Sequence, residues 1–211
     1  MLRIFITAFE PYDEWQENAS WLALVEFTKN LPTGVRLTTR RYPVDFHAVL
    51  ERLARDLRDD YDYAIHLGQA PGSAKIRLES IGINVGGHSA RGAESCRPLV
   101  EDGPVAYRAD MPLAEWAQRL TQAGIPATVS YHAGTYLCNA TLYLAHHIAA
   151  QQRLRTKITF VHLPLDLTQS ATRGQEIAAL PAAVSARALR MIVDDLVKRA
   201  QPDAAVLAGP R

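Results

Sequence analysis

Residues 127–162 read ATVSYHAGTYLCNATLYLAHHIAAQQRLRTKITFVH. Ala127–Tyr131 is a short β-branched run, Gly134 offers a turn, Asn139–Gln152 carries a helical pattern, and Lys157–His162 is again β-branched and apolar. A strand, a covering helix and a further strand form one αβ repeat, and the same alternation extends outward in both directions. Upstream, Leu2–Ala8, Val35–Arg41 and Asp62–Leu67 read as strands, and Ile76–Val85 as an extended strand or hairpin arm. Ser20–Lys29, Phe46–Arg58, Leu113–Ala123 and, downstream, Pro181–Arg199 read as amphipathic helices, with Ser20 and Asp45 as caps of the first two. The pattern predicts an α/β fold: a single domain over residues 1–211, built as a three-layer αβα sandwich around a mostly parallel, twisted sheet. Ligands of such sheets collect where strands end in loops. Gly86–Pro104, rich in glycine and polar residues, is the one long irregular segment and is expected to flank a substrate site.

Bulk composition narrows the function classes. The chain has 211 residues, 48% of them apolar and 21% charged, which suits a globular domain with a substantial core. A net charge of +1 with scattered basic residues gives no support to a nucleic-acid surface. No apolar run approaches the roughly 18 residues of a membrane span. The opening Met1–Phe9 runs straight into Glu10 and Pro11, so it is expected to be a buried strand and not a secretory leader. Two cysteines, Cys96 and Cys138, do not make a disulfide framework and suit a reducing, cytoplasmic setting. Asn139-Ala140-Thr141 matches a glycosylation sequon, which has little meaning without a leader.

Three side chains could carry chemistry. Cys138 falls where a strand and glycine turn give way to a helix, so it would face free backbone N–H groups and the positive helix end. Both favour a thiolate and can stabilise an oxyanion. The plainer reading is a small buried hydrophobe. His162 ends a strand 24 residues later, and adjacent parallel strands would bring both residues to one sheet edge; otherwise it is a hydrogen-bonded structural histidine. Glu79, in the apolar-flanked Ile76–Ile81 run, could orient that imidazole or could pair with Arg77. His146 and His147 are neighbours on a helix and point apart. No metal-binding, phosphate-loop, dinucleotide or serine-elbow pattern occurs, so no metal or cofactor is expected.

Several segments in order resemble the pyroglutamyl peptidase I (pyrrolidone-carboxylate peptidase) family of cysteine peptidases. They are Thr7-Ala8-Phe9-Glu10-Pro11-Tyr12 with Asn18 and Ser20; Tyr42-Pro43-Val44; His66-Leu67-Gly68-Gln69-Ala70; Ile76, Glu79 and Asn84; Asp102-Gly103-Pro104 with Ala106-Tyr107; Ala133–Asn139; and Phe160–Pro164. The resemblance implies Cys138, His162 and Glu79 as catalytic cysteine, histidine and glutamate. It places Phe9, Tyr12, Gln69, Tyr136 and Leu137 in a pyroglutamyl pocket. It further implies peptides with an N-terminal pyroglutamate as partners, a thioester acyl-enzyme, and a homo-oligomer, dimer or tetramer.

The sequence also departs from that family. Ala8 replaces a glycine, Tyr12 a phenylalanine and Ser80 an arginine. Asp13-Glu14 stands where a glycine pair is usual, so the first loop is expected to take another path. Residues 86–91 lack the family's arginine-bearing run, and Arg91 is the candidate to replace it. The polar neighbours Asp13 and Glu14 point the Tyr12 hydroxyl outward. Two further readings stay open: a catalytically weak homologue acting as a binding or regulatory protein, and, on fold analogy alone, a nucleoside phosphorylase.

Overall fold

A computed structural model describes residues 1–88, 95–172 and 176–200. Its first strand, Leu2–Phe9 (β1), is buried from Ile4 onward on both faces, as a central parallel strand requires. The chain continues through Ala19–Thr28 (α1), Val35–Tyr42 (β2), Phe46–Asp56 (α2), Tyr63–Gln69 (β3), Ile76–Glu79 (β4), Ile81–Ile83 (β5) and Ala106–Arg108 (β6). Leu113–Gln122 (α3), Ala127–Ser130 (β7), Leu137–Gln152 (α4), Lys157–Leu163 (β8), Leu167–Ala171 (α5) and Ala182–Ala200 (α6) complete it. The short elements β6 and α5 escaped the sequence reading because neither is long enough to show a period.

The main sheet runs β2-β1-β3-β8-β4-β7. All neighbours are parallel except β4 against β8. Period-two alternation divides the strand side chains between two cores. Ile4, Ile6, Ile65, Leu67, Leu78, Val161 and Leu163 pack under Leu24, Phe27, Trp116, Leu189 and Ile192 of α1, α3 and α6. Phe5, Phe9, Ala64, Ile158 and Phe160 pack under Val49, Leu53, Leu142 and Tyr143 of α2 and α4. Each isoleucine, leucine, valine or phenylalanine among them, when fully buried, contributes about 1.5–3 kcal/mol of transfer free energy.

Three local expectations change. Asn18, not Ser20, caps α1: its Oδ1 accepts from Ser20 N at 3.0 Å and from Ser20 Oγ at 2.7 Å. Ser20 Oγ instead accepts from Phe9 N at 3.1 Å, tying the helix start to the end of β1. Ile76–Val85 is not one strand. It breaks at Ser80, after which β5 leaves the sheet and pairs antiparallel with β6. Finally, β7 and β8 are not adjacent, because β4 lies between them. Asp45 does cap α2, accepting from Ala48 N at 2.8 Å.

Candidate active site

The inserted strand β4 is what brings the carboxylate to the histidine. In the antiparallel β4–β8 pair Arg77 stands opposite His162 and Glu79 opposite Phe160, so Glu79 and His162 are diagonal neighbours on one face. His162 Nδ1 donates to Glu79 Oε1 at 2.7 Å, with Glu79 fully buried and His162 nearly so. Arg77 Nε approaches the same oxygen at 3.9 Å. The two sequence readings of Glu79 therefore both hold, and the imidazole contact is the shorter. Burial by itself lowers the His162 pKa. The charge of Cys138 and a hydrogen bond with it, joined by Glu79, outweigh burial and raise it to about 9.

Cys138 arrives on the same face from the other direction. It is the second residue of α4, which begins at Leu137, two residues before the sequence pattern suggested. Tyr136, the N-cap residue, provides no side-chain acceptor, so the first-turn N–H groups around Cys138 have no side-chain cap. The helix start is held by Asn139, which is fully buried. Its Oδ1 accepts from Ile83 N at 2.9 Å, and its Nδ2 donates to Ile83 O at 2.9 Å and Val85 O at 2.8 Å. The sequon at Asn139 is thus a structural clamp between α4 and β5. The preceding turn is fixed by Gly87 N donating to Thr135 O at 2.9 Å and Thr135 Oγ1 to Gly87 O at 3.2 Å.

Gly68 makes the approach possible. It pairs with His162 across β3–β8. A methyl group there would sit 3.0 Å from Cys138 Sγ and 2.6 Å from Phe160 Cζ, closer than side chains tolerate. Its motif alone assigns Gly68 no role, since glycine in a strand says only that something comes close.

Phe9, Tyr12, Gln69, Tyr136 and Leu137 line one cavity with Cys138, together with Asn18, Val44 and Gly68. Its volume is about 40 Å³, and it carries no charged side chain. The Tyr136 ring is held edge-on by Phe46 at 5.3 Å and flanked by His88 at 5.0 Å. Gln69 Oε1 accepts from Ala19 N and Gln169 Nε2, both at 2.9 Å, whereas Gln69 Nε2 is buried without a partner of good geometry. Gln169, on the short helix α5, was invisible to sequence reasoning for want of any motif. The half-buried Tyr12 does not turn its hydroxyl outward as expected. Burial and then the charge of Cys138 push its pKa up to about 12, and the phenol faces the Gln69 amide. Asp13 takes φ +56°, the region glycine favours, so this loop meets its backbone demand without the glycine pair.

Other candidates fall elsewhere. His66 bonds Thr7 Oγ1 at 2.7 Å and is held neutral by burial, its pKa lowered to about 3. His146 stacks on Tyr107, whose hydroxyl meets His147 Nδ1 at 2.9 Å. Cys96 is half-buried beside Gly87 and does not line the cavity. Arg91 lies outside the described residues. Two wider grooves, of about 580 and 510 Å³, contain no cysteine or histidine. Among the described residues no group of three histidine, cysteine, aspartate or glutamate side chains could hold a metal ion.

Residues 2–199 match the family model described as pyroglutamyl peptidase. The chain belongs to the pyroglutamyl peptidase family. Among its relatives, the pyrrolidone-carboxylate peptidase of Pectobacterium atrosepticum is 34% identical over 99% of both chains. That of Thermococcus onnurineus is 34% identical over 88% of this chain and 94% of its own. The crystal structure of the pyrrolidone carboxyl peptidase of Fervidobacterium islandicum AW-1 superimposes with a TM-score of 0.87 at 30% identity. The match covers 94% of this chain and 99% of that one. For the enzyme from Thermococcus litoralis the TM-score is 0.85 at 26% identity. The pyroglutamyl peptidase fold in this chain thus carries Cys138, His162 and Glu79 on three separate elements, α4, β8 and β4.

Proposed function

We propose that this protein hydrolyses the amide bond that follows an N-terminal pyroglutamyl residue, by way of a thioester on Cys138. The observation that carries the reading is the meeting of Cys138 with the His162–Glu79 pair at the mouth of an uncharged, aromatic-walled cavity. Pyroglutamate is a neutral, flat lactam with no free amine. Aromatic faces and a few placed hydrogen bonds suit it, and a charge would not.

The chemistry then runs on this chain's own groups. The Cys138 thiolate attacks the pyroglutamyl carbonyl carbon, and the electron pair of the carbonyl moves to oxygen. First-turn N–H groups of α4 donate to that oxyanion. As the C–N bond breaks, the His162 imidazolium gives its proton to the departing amine, leaving a thioester. Water attacks the thioester, His162 takes the water's proton, and the C–S bond breaks to restore the thiolate and release pyroglutamate. Glu79 fixes the Nδ1–H tautomer and supports the imidazolium. The described residues serve as one catalytic domain, since both cores share the same sheet, and the family resemblance favours a cytoplasmic homo-oligomer. No helix among the described residues is long and apolar enough to cross a membrane.

Turnover of L-pyroglutamyl-aminomethylcoumarin tests the reading and separates it from a binding protein with the same fold. Cys138→Ser abolishes turnover with an unchanged circular dichroism spectrum, while Cys96→Ser keeps it. Inactivation by iodoacetamide that modifies Cys96 alone would overturn the assignment.

A further inference from the structure

One cross-strand row runs beneath Cys138. Gly68 of β3 stands beside His162 of β8, His162 opposite Arg77 of β4, and Arg77 beside Thr128 of β7. Residues paired in register share a face, so Arg77 lies on the face that carries His162 and receives Cys138. Gly68 lines the cavity beside Cys138, whereas Arg77 does not. His162 therefore stands between the cavity and Arg77, with one strand spacing, about 4.8 Å, on each side. A substrate whose acyl group fills the cavity and whose leaving nitrogen meets His162 extends its next residue toward β4. Arg77 is poorly satisfied there. Its side chain is 38% exposed, and its Nε is buried without a hydrogen-bond partner. The anion that approaches it, Glu79 Oε1, lies 3.9 Å from Nε, beyond hydrogen-bond range, and is already bonded to His162 at 2.7 Å. The fork of N–H donors thus has no hydrogen-bond acceptor among the described residues. A carboxylate matches such a fork bidentately, a neutral amide oxygen gains less, and an ammonium is repelled.

We infer that Arg77 binds a carboxylate carried by the residue after pyroglutamate and so biases turnover toward acidic leaving groups. The inference rests on the functional reading above and adds to it a preference on the leaving side of the scissile bond. That residue has two sources of a carboxylate, an aspartate or glutamate side chain and the free C-terminus of a pyroglutamyl dipeptide. Both present the same pair of oxygens, and both lie a few bonds from the nitrogen that His162 protonates. Arg77 touches the departing peptide and not the reacting carbonyl, so it acts on specificity. Because its side chain is partly open to solvent, the preference is modest and screened by salt.

Two isosteric pairs test this and separate the sources. Pyroglutamyl-glutamate amide against pyroglutamyl-glutamine amide varies only the side-chain charge. Pyroglutamyl-alanine against its amide varies only the terminal charge. Release of pyroglutamate gives kcat/KM for each, at low and at high salt. In at least one pair wild type is expected to prefer the acid by about fivefold or more at low salt, and by less as salt is added. Arg77→Gln should bring that ratio to about twofold or less, and Arg77→Glu should reverse it. Whatever these substitutions do to Glu79 falls on acid and amide alike and cancels in the ratio, and circular dichroism checks the fold. A ratio near one in both pairs for wild type refutes the inference without any variant. A preference that survives Arg77→Gln also refutes it and assigns the effect to another cation. If wild type releases pyroglutamate from none of these peptides, the functional reading fails and takes the inference with it. Release from all of them without preference overturns only the role of Arg77.

Discussion

Glu79→Gln changes one charge and almost no volume at a fully buried position. In the native protein the His162 pKa stands at about 9 against an ordinary 6.5, which corresponds to about 3 kcal/mol of net support for the imidazolium. Cys138 supplies the larger share and Glu79 the smaller. The glutamine keeps an acceptor for Nδ1–H but turns a charge-assisted hydrogen bond into a neutral one, a loss of roughly 1–1.5 kcal/mol. Arg77, 3.9 Å from the same oxygen, then loses its compensating anion and opposes the imidazolium in the same direction. The alkaline limb of kcat/KM should accordingly fall by about one pH unit, from about 9 toward about 8, and the plateau by roughly tenfold. The assay is hydrolysis of L-pyroglutamyl-aminomethylcoumarin across the pH range, with circular dichroism to confirm the fold. An alkaline limb that coincides with wild type, or moves upward, would refute the role given to Glu79.

Gly68→Ala should cut turnover by at least tenfold and destabilise the fold by about 1–3 kcal/mol. Its methyl group would meet Phe160 and the Cys138 sulfur, and a variant with native rate and melting temperature would show that the contact is not tight. Asp195→Ala should lower stability by about 2–4 kcal/mol without touching the site. This carboxylate accepts from Trp116 Nε1 at 2.8 Å and Arg199 Nε at 2.6 Å, and also pairs with Arg119, joining α3 to α6. Burial pushes the Asp195 pKa up, but the bonds from Trp116, Arg199 and Arg119 outweigh it and hold it below the usual range. Its contribution is therefore full above the unfolded value of about 3.9 and is lost as pH falls through the lower folded value. Thermal melts of both proteins should converge on acidification and stay apart at neutral pH; a gap that does not change with pH would count against this.

The sequence alone carried the α/β class, because runs such as Leu2–Ala8 and Lys157–His162 are apolar on both faces and only a covered, mostly parallel sheet buries them so. It also carried the chemically distinctive residues: Cys138 before a helix, His162 at a strand end and a glutamate among apolar neighbours each stand out by type and setting. What it could not carry was adjacency. Whether Glu79 meets Arg77 or His162 depends on β4 inserting antiparallel beside β8, a long-range pairing that no local period encodes. The partners of Gln69 come from residues 50 and 100 positions away in the chain, and the inward turn of the Tyr12 hydroxyl from how that packing closes. Local residue type determined which groups can react; only the tertiary packing decided which atoms each of them touches, since hydrogen-bond partners and burial are properties of the assembled sheet and helices and not of any segment within it.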